Sequence, residues 1–406
     1  MPMVLRDGYI GYMPSSATLG SDTLNYGRTM NTNNFFPFKN KIINGDFRVN
    51  QISGTNTASN LTTRYFPIDR WFTQGSLSGR FTTQIVNDGP STSSTYSSIR
   101  PATTLSTCVE LKATFSTILG STDVYAFGQN IEGRNMSDIP FGGGNSTYNM
   151  VLSFWIKVSQ TGIYTFRLHN SAVNRTLHQA ISIGTANVWT FVQFTIPVDS
   201  TGEWLKDFNT GLRFIVNLGV GSSYRGTSAL SNWASTATEL CHSTTTIHLV
   251  ETSNATIRLT GVQLEFIGTN TSTAYASPFE FRPFPQELDL CLRYFQKSWT
   301  YATVTGTQTT IGMYLFTDMN ASNVQHYNHI RWSGGPMRAP PTIELYGYNS
   351  PGNAGYGTIW VLPITNYGDF VAYATAIQRS GCMMYSGTSA VHTLEGFHFK
   401  LNAEMT

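Results

Sequence analysis

Charge is what this chain has least of. Of its 406 residues only 12% are Asp, Glu, Lys or Arg, about half the share usual in soluble proteins. The 25 basic and 23 acidic residues leave a net charge of +2. No block of like charge stands out, which excludes the electrostatic footprint of a nucleic-acid or anionic-membrane binder. No stretch reaches the roughly 18 apolar residues that a membrane-spanning helix needs. Met1–Gly11, MPMVLRDGYIG, lacks the continuous apolar core of a signal peptide. No nucleic-acid partner and no membrane insertion are expected, and synthesis in a cytoplasm is. Cysteine is scarce as well: Cys108, Cys241, Cys291 and Cys382 lie far apart without paired metal spacing and read as reduced, inert thiols. His326, His329, Cys382, His392 and His398 form no zinc pattern, and the three glycines of Phe141–Asn145 lack the lysine of a phosphate loop. No metal and no cofactor are expected.

What the chain has instead is Gly, Ser, Thr, Asn and Tyr, the composition of a turn-rich β protein. Leu152, Phe154, Ile156 and Val158 alternate with polar neighbours, then a Gln160-Thr161-Gly162 turn leads into Tyr164, Phe166 and Leu168. This pattern predicts an antiparallel hairpin. Leu212, Phe214, Val216, Leu218 and Val220 predict a one-sided strand, and Thr260-Gly261 shifts the phase between Leu259 and Val262 as a β-bulge would. One helix stands out: after Pro283 and Pro285, Leu288, Cys291, Leu292 and Phe295 fall at helical spacing, with Asp289 and Arg293 placed to pair on its wet face. The length exceeds what a single core usually serves, so two domains are expected, with Met1–Asn40 as an arm that Phe35–Phe38 would plug into something.

Several blocks carry a resemblance. Gly261–Thr300 contains VQLE, SPFEFRP and ELDLCLRYFQKS, and is similar to a segment of tail-fibre and related receptor-binding proteins of bacteriophages. KIINGDFRVNQ at Lys41–Gln51 and YFPIDRWF at Tyr65–Phe72 resemble the opening of the jelly-roll, carbohydrate-binding-module-like domains of such fibres. That opening usually carries a Trp where this chain has Val49-Asn50-Gln51. GGPMRAPPTIELYG at Gly334–Gly347 and the closing FHFKLNAEM resemble the family's terminal domain, with Asn402 and Met405 where Asp and Leu are frequent. The resemblance covers about half the chain. It implies an all-β protein: an extended N-terminal arm for virion attachment (1–40), a jelly-roll β-sandwich (41–284), and a short helix opening a smaller C-terminal β-sandwich domain (285–406). It also implies a homotrimer, located in the virion tail or baseplate, whose arm meets other virion proteins.

The function this supports is a non-enzymatic tail fibre that recognises a host-surface glycan. Sugar binding needs flat apolar faces with hydroxyl and amide partners around them. Tyr346, Tyr348, Tyr356 and Trp360 of a glycine-rich loop, Tyr346–Trp360, with Tyr367 beyond it and interleaved with Asn349, Asn353 and Asn366, supply both kinds, and Tyr224 with Trp233 form a second candidate. Two other readings stand beside it: a capsid or baseplate decoration protein that serves assembly, and a polysaccharide-degrading tailspike. Glycoside cleavage needs two carboxyl groups flanking the bond, and among Asp46, Asp69, Glu251, Glu265, Asp318 and Glu344 no spacing singles out a pair.

Overall fold

The structure is a computed structural model that describes residues 3–6, 9–12, 38–54, 56–90, 105–144, 147–226, 232–235, 239–242, 245, 247–268, 276–317, 327–348, 354, 356–361, 365–386 and 394–405, by backbone alone within 3–12, 316–328, 355–373 and 384–395. Among the described residues, strands β1 (Met3–Arg6) and β2 (Tyr9–Tyr12) pair only with each other. Positions 35–37 of the expected plug lie outside the described residues. The twelve strands β3 (Ala58–Ser59), β4 (Tyr65–Ile68), β5 (Trp71–Gly75), β6 (Phe81–Val86), β7 (Cys108–Ala113), β8 (Val124–Glu132), β9 (Asn149–Val158), β10 (Gly162–His169), β11 (Thr176–Ile183), β12 (Thr190–Pro197), β13 (Thr210–Val220) and β14 (Thr256–Phe266) build a jelly-roll sandwich. A front sheet has the order β11-β10-β13-β8-β5-β4 and a back sheet β12-β9-β14-β7-β6-β3.

Alternation decides which side chains fill the space between the sheets. Trp71 stacks on Phe127 with ring centres 5.1 Å apart, and Phe166 stacks on Phe214 at 6.3 Å. Phe154 of β9 meets Phe166 of β10 at 4.6 Å across the core. That contact corrects the expected hairpin: β9 pairs with β12 and β14, β10 pairs with β11 and β13, and the short link between them crosses from one sheet to the other. Two strands with identical alternation serve a hairpin or a face-to-face pair equally well, and the large inward aromatics favour the latter. The bulge is present: pairing of β14 with β9 skips between Thr260 and Gln263, and Gly261 has φ +61° with Leu105 so close that a Cβ would sit 2.8 Å from it.

Helix α1 (Phe284–Leu292) opens the second unit, with Pro285 in its first turn. Phe295 lies beyond it, in β15 (Phe295–Lys297). The strands β16 (Tyr314–Thr317), β17 (Tyr327–Arg331), β18 (Thr342–Tyr346), β19 (Tyr356–Val361), β20 (Thr365–Gln378), β21 (Gly381–Ser386) and β22 (Leu394–Asn402) follow. β22 is the spine, since β15, β16, β18 and β19 all pair with it. Ile330 of β17 and Cys382 of β21 share a core with Phe397, Phe399 and Leu401 of β22, so the antiparallel layer folds back over itself.

Between the two units lies a buried polar joint. Asn44, at φ 58°, accepts from the Val49 amide at 3.0 Å and donates to the carbonyls of Val49 and Asp69 at 2.7 and 3.1 Å. The Arg70 guanidinium pairs with Glu404 and lies 3.5 Å from the centre of the Tyr294 ring. Glu132 is fully buried and accepts from Arg293 at 2.6 Å and from the Tyr294 hydroxyl at 2.7 Å. The expected Asp289–Arg293 pair is therefore replaced by a pair across the joint, because Glu132 offers Arg293 two hydrogen bonds away from water. Arg282 holds Glu287 and the carbonyls of Asn40 and Ile42, and the Lys297 ammonium donates to the carbonyls of Gln51, Tyr301 and Thr303.

Candidate functional site

The outer side of the front sheet is the candidate site. Each strand there sends one set of side chains inward and the other onto the outer face, which is itself largely buried, with Thr165, Arg167, His169 and Asn217 at 1–5% exposure. On β10, Phe166 and Leu168 go in, leaving Thr165, Arg167 and His169 outside; on β13, Phe214 and Val216 go in, leaving Arg213, Ile215 and Asn217. Register then aligns rows across the sheet. His178 stands opposite Arg167, Arg167 opposite Ile215, Ile215 opposite Gly128, and Gly128 opposite Phe72; in the next row His169 faces Arg213, and Arg213 faces Asn130. Gly128 is closely packed in the middle: a Cβ there would overlap the Phe214 carbonyl oxygen and meet the Phe72 ring at 3.0 Å.

The face has an apolar and a basic half. Phe66, Phe72, Ala126 and Ile215 cluster with Ile52, and the Arg64 guanidinium sits 4.7 Å from the centre of the Phe72 ring. Beside them, Arg167 spends its Nε on the Thr176 hydroxyl at 3.1 Å, and Arg213 spends its Nε on Asn130 at 2.5 Å. Burial holds Arg167 down at about 10 and Arg213 at about 9, the latter helped by repulsion from Arg64 and Arg167. Burial first, then those same arginines, holds His169 well below its ordinary range, and His178 falls to about 3. Both rings are neutral at physiological pH.

At one end of this face a cleft of about 480 Å³ opens between Gln74 of β5 and Tyr224. Tyr224 ends a short 3-10 turn, Ser222–Tyr224, and its carbonyl accepts from the Leu240 amide at 2.8 Å, which fixes the wall of the cleft. Thr62, Ser76 and Thr122 line it too, so one aromatic ring, an amide and hydroxyls converge on one neutral space. That combination can hold a sugar ring by its C–H side and its hydroxyls.

The other candidates fall elsewhere. Tyr346 is 7% exposed at the end of β18, donates its hydroxyl to Glu344, and packs edge-on against Trp299 at 5.4 Å. These contacts and its burial hold it in the sheet that β22 organises. Tyr348 lies just past β18 and is half-buried. Tyr356 and Trp360 lie on β19 and Tyr367 on β20, so the backbone there is paired strand where a loop was expected; their side chains lie outside the described residues. The residue types favouring a loop, Gly and Asn, are overridden by ladder pairing on both sides of β19. Trp233 donates its Nε1–H to the Pro197 carbonyl at 2.6 Å and meets Trp204 edge-on at 5.0 Å, while Trp204 stacks on Phe141 at 4.1 Å. Its ring is committed to that aromatic cluster.

Among the carboxylates, Asp46 is bound by Arg48, Asp69 by Gln51 at 2.6 and 2.8 Å, Glu265 by Ser277 at 2.6 Å and Glu344 by Lys400 at 2.7 Å. No group of three or more His, Cys, Asp or Glu able to hold a metal ion occurs among the described residues. The four cysteines are all free and buried.

No family model matches the chain, and no curated protein matches it. Solved structures of similar shape include the enzymatically active domain of tailspike protein 4 from bacteriophage CBA120, at 14% identity and a TM-score of 0.28, covering 57% of this chain and 22% of that one. A family 61 carbohydrate-binding module bound to β-1,4-galactotriose aligns at 11% identity and a TM-score of 0.23 over 48% of this chain and 86% of its own. A family 11 module from Clostridium thermocellum aligns at 10% identity and 0.24 over 52% and 96%. The chain thus spans about a fifth of the tailspike domain, and none of these likenesses is close enough to transfer a function.

Proposed function

We propose that the chain is a non-enzymatic structural protein of a bacteriophage particle, of tail-fibre type, whose jelly roll meets a host-surface glycan. In this reading the arm before Lys41 joins other virion proteins in the tail or baseplate, and three copies work together. The observation that carries it is the joint. The sequence blocks that resemble phage fibres are far apart in the chain, yet Asn44, Asp69, Arg70, Glu287, Tyr294 and Glu404, one or more from each of four blocks, meet in one buried network. Scattered similarity would have no reason to converge on one point in space. That convergence supports reading the blocks as one physical device, a coupling between a jelly roll and a distal β domain.

The glycan contact is assigned to the Tyr224 cleft on the front sheet rather than to the tyrosines of β18 to β20. One aromatic contact contributes on the order of 1 kcal/mol, so a single copy binds weakly, and three copies on one particle raise the strength by effective concentration. The test is adsorption of the labelled protein to host cells. Tyr224→Ala is expected to lose adsorption with the thermal midpoint unchanged, whereas Tyr346→Ala is expected to lower the midpoint. Normal adsorption by Tyr224→Ala would remove the cleft from the reading; a stable monomer by light scattering would remove the trimer.

A further inference from the structure

The arginines on the outer side of the front sheet differ from six others in the chain. Arg48, Arg70, Arg175, Arg258, Arg282 and Arg293 each face a carboxylate oxygen within 3.3 Å. The back sheet makes the same point on its own outer face, where Lys157 and Arg258 share Asp88, and Arg258 also binds Glu110. On the front sheet Arg64, Arg167 and Arg213 form no ion pair among the described residues, and the charges that act on Arg213 are those of the other two. Arg167 is 4% exposed, yet its Nη2 has no hydrogen-bond partner; Asn217, at 5%, leaves its Nδ2 unused; and both ring nitrogens of His178 lack a partner of normal geometry, although the Glu239 backbone is close. Donors that are buried, convergent and unanswered cost stability. Arg167 thus keeps an unspent, buried donor beside two further guanidiniums that face no carboxylate among the described residues.

We propose that this cluster is an anion-binding site, and that it takes the carboxylate or sulfate group of an acidic sugar whose neutral part occupies the adjoining Tyr224 cleft. The two halves are contiguous: Arg64 reaches Gln74 at 3.5 Å, and Gln74 lines the cleft. Through β8, the register carries Gln74 to Ala126 and Ala126 to Asn217. Arg64 and Arg213 are partly exposed and form the approach, while Arg167 and Asn217 form the floor. A planar guanidinium binds a carboxylate or a sulfate through two parallel N–H···O bonds, which a lysine or histidine cannot reproduce. The neutral imidazoles add no repulsion, and His169 spends its single N–H on the Asn170 carbonyl at 2.7 Å.

This inference rests on the glycan reading for its sugar, but the anion site is testable without it. Calorimetric titration of the full chain with sodium sulfate, glucuronate and glucose is expected to show binding of the first two, weakening as sodium chloride rises, and none of glucose at the same concentration. Arg64→Gln and Arg213→Gln are each expected to lower anion affinity about tenfold or more. Their unliganded thermal midpoints are expected to hold or rise, because relief of repulsion offsets the lost contacts; a cluster that served only folding would lower them. A uronic-acid polysaccharide and dextran sulfate then separate carboxylate from sulfate ester as the natural group. If neither sulfate nor glucuronate binds, or if binding is indifferent to both substitutions, the anion site falls. If the anions bind but neither polysaccharide nor host cells do, the anion site stands and the glycan reading falls. If a neutral host glycan binds through Tyr224 regardless of Arg64 and Arg213, the reverse holds.

Discussion

Arg70 and Glu404 illustrate how unequal the two members of a buried pair are. Glu404→Gln leaves a guanidinium that cannot shed its charge, and is expected to cost about 3–5 kcal/mol in urea unfolding. Arg70→Met is expected to cost less, because burial already raises the Glu404 pKa and the carboxyl can take up a proton. Single-residue physics also sets a pH response. His178 titrates at about 3 in the folded chain against an ordinary 6.5, so between those values the unfolded chain holds the extra proton and stability falls as pH falls. His178→Asn is expected to flatten the thermal-midpoint profile from pH 6.5 downward relative to the unsubstituted protein. An unchanged slope would place the acid sensitivity elsewhere. None of this was legible in the sequence: Arg70 reads as part of a strand opening, and only a partner 334 residues away gives it its role.

At the scale of elements, alternation was the readable signal and register was not. The strands β9, β10, β13 and β14, the Gly261 bulge and the proline-opened helix α1 all follow from period and turn residues alone. Which strands would be neighbours did not follow, so nothing in the sequence brought Arg167 of β10 near Arg213 of β13. The same gap hid the pairing of β19 and β20, where glycines suggested a loop. Gly261 provides a test at this scale. Gly261→Ala forces a side chain into a left-handed backbone and into Leu105, and is expected to cost at least about 1–2 kcal/mol. An equal loss on Gly79→Ala, where φ is +70° and nothing lies within 4 Å, would mean that backbone conformation alone accounts for the cost. A larger loss at Gly261 would assign the difference to the contact with Leu105.

As a whole, the molecule is two β units whose partners for buried charge lie on opposite sides of one boundary. Arg70 and Glu132 belong to the jelly roll, while Glu404, Arg293 and Tyr294 belong to the chain beyond it. The full chain is therefore expected to unfold in a single calorimetric transition, and a 41–284 fragment to melt well below it. Two resolved transitions would show that the joint couples the units only loosely. The joint also imposes an order in time. A ribosome adds about 5–20 residues per second, so the 334 residues separating Arg70 from Glu404 keep the guanidinium waiting roughly 20–70 s for its counterpart. Until then the jelly roll carries an unanswered charge at its base. A chain truncated before Glu404 is therefore expected to be cleaved by a protease in limited digestion faster than the full chain, because Arg70 then lacks its carboxylate.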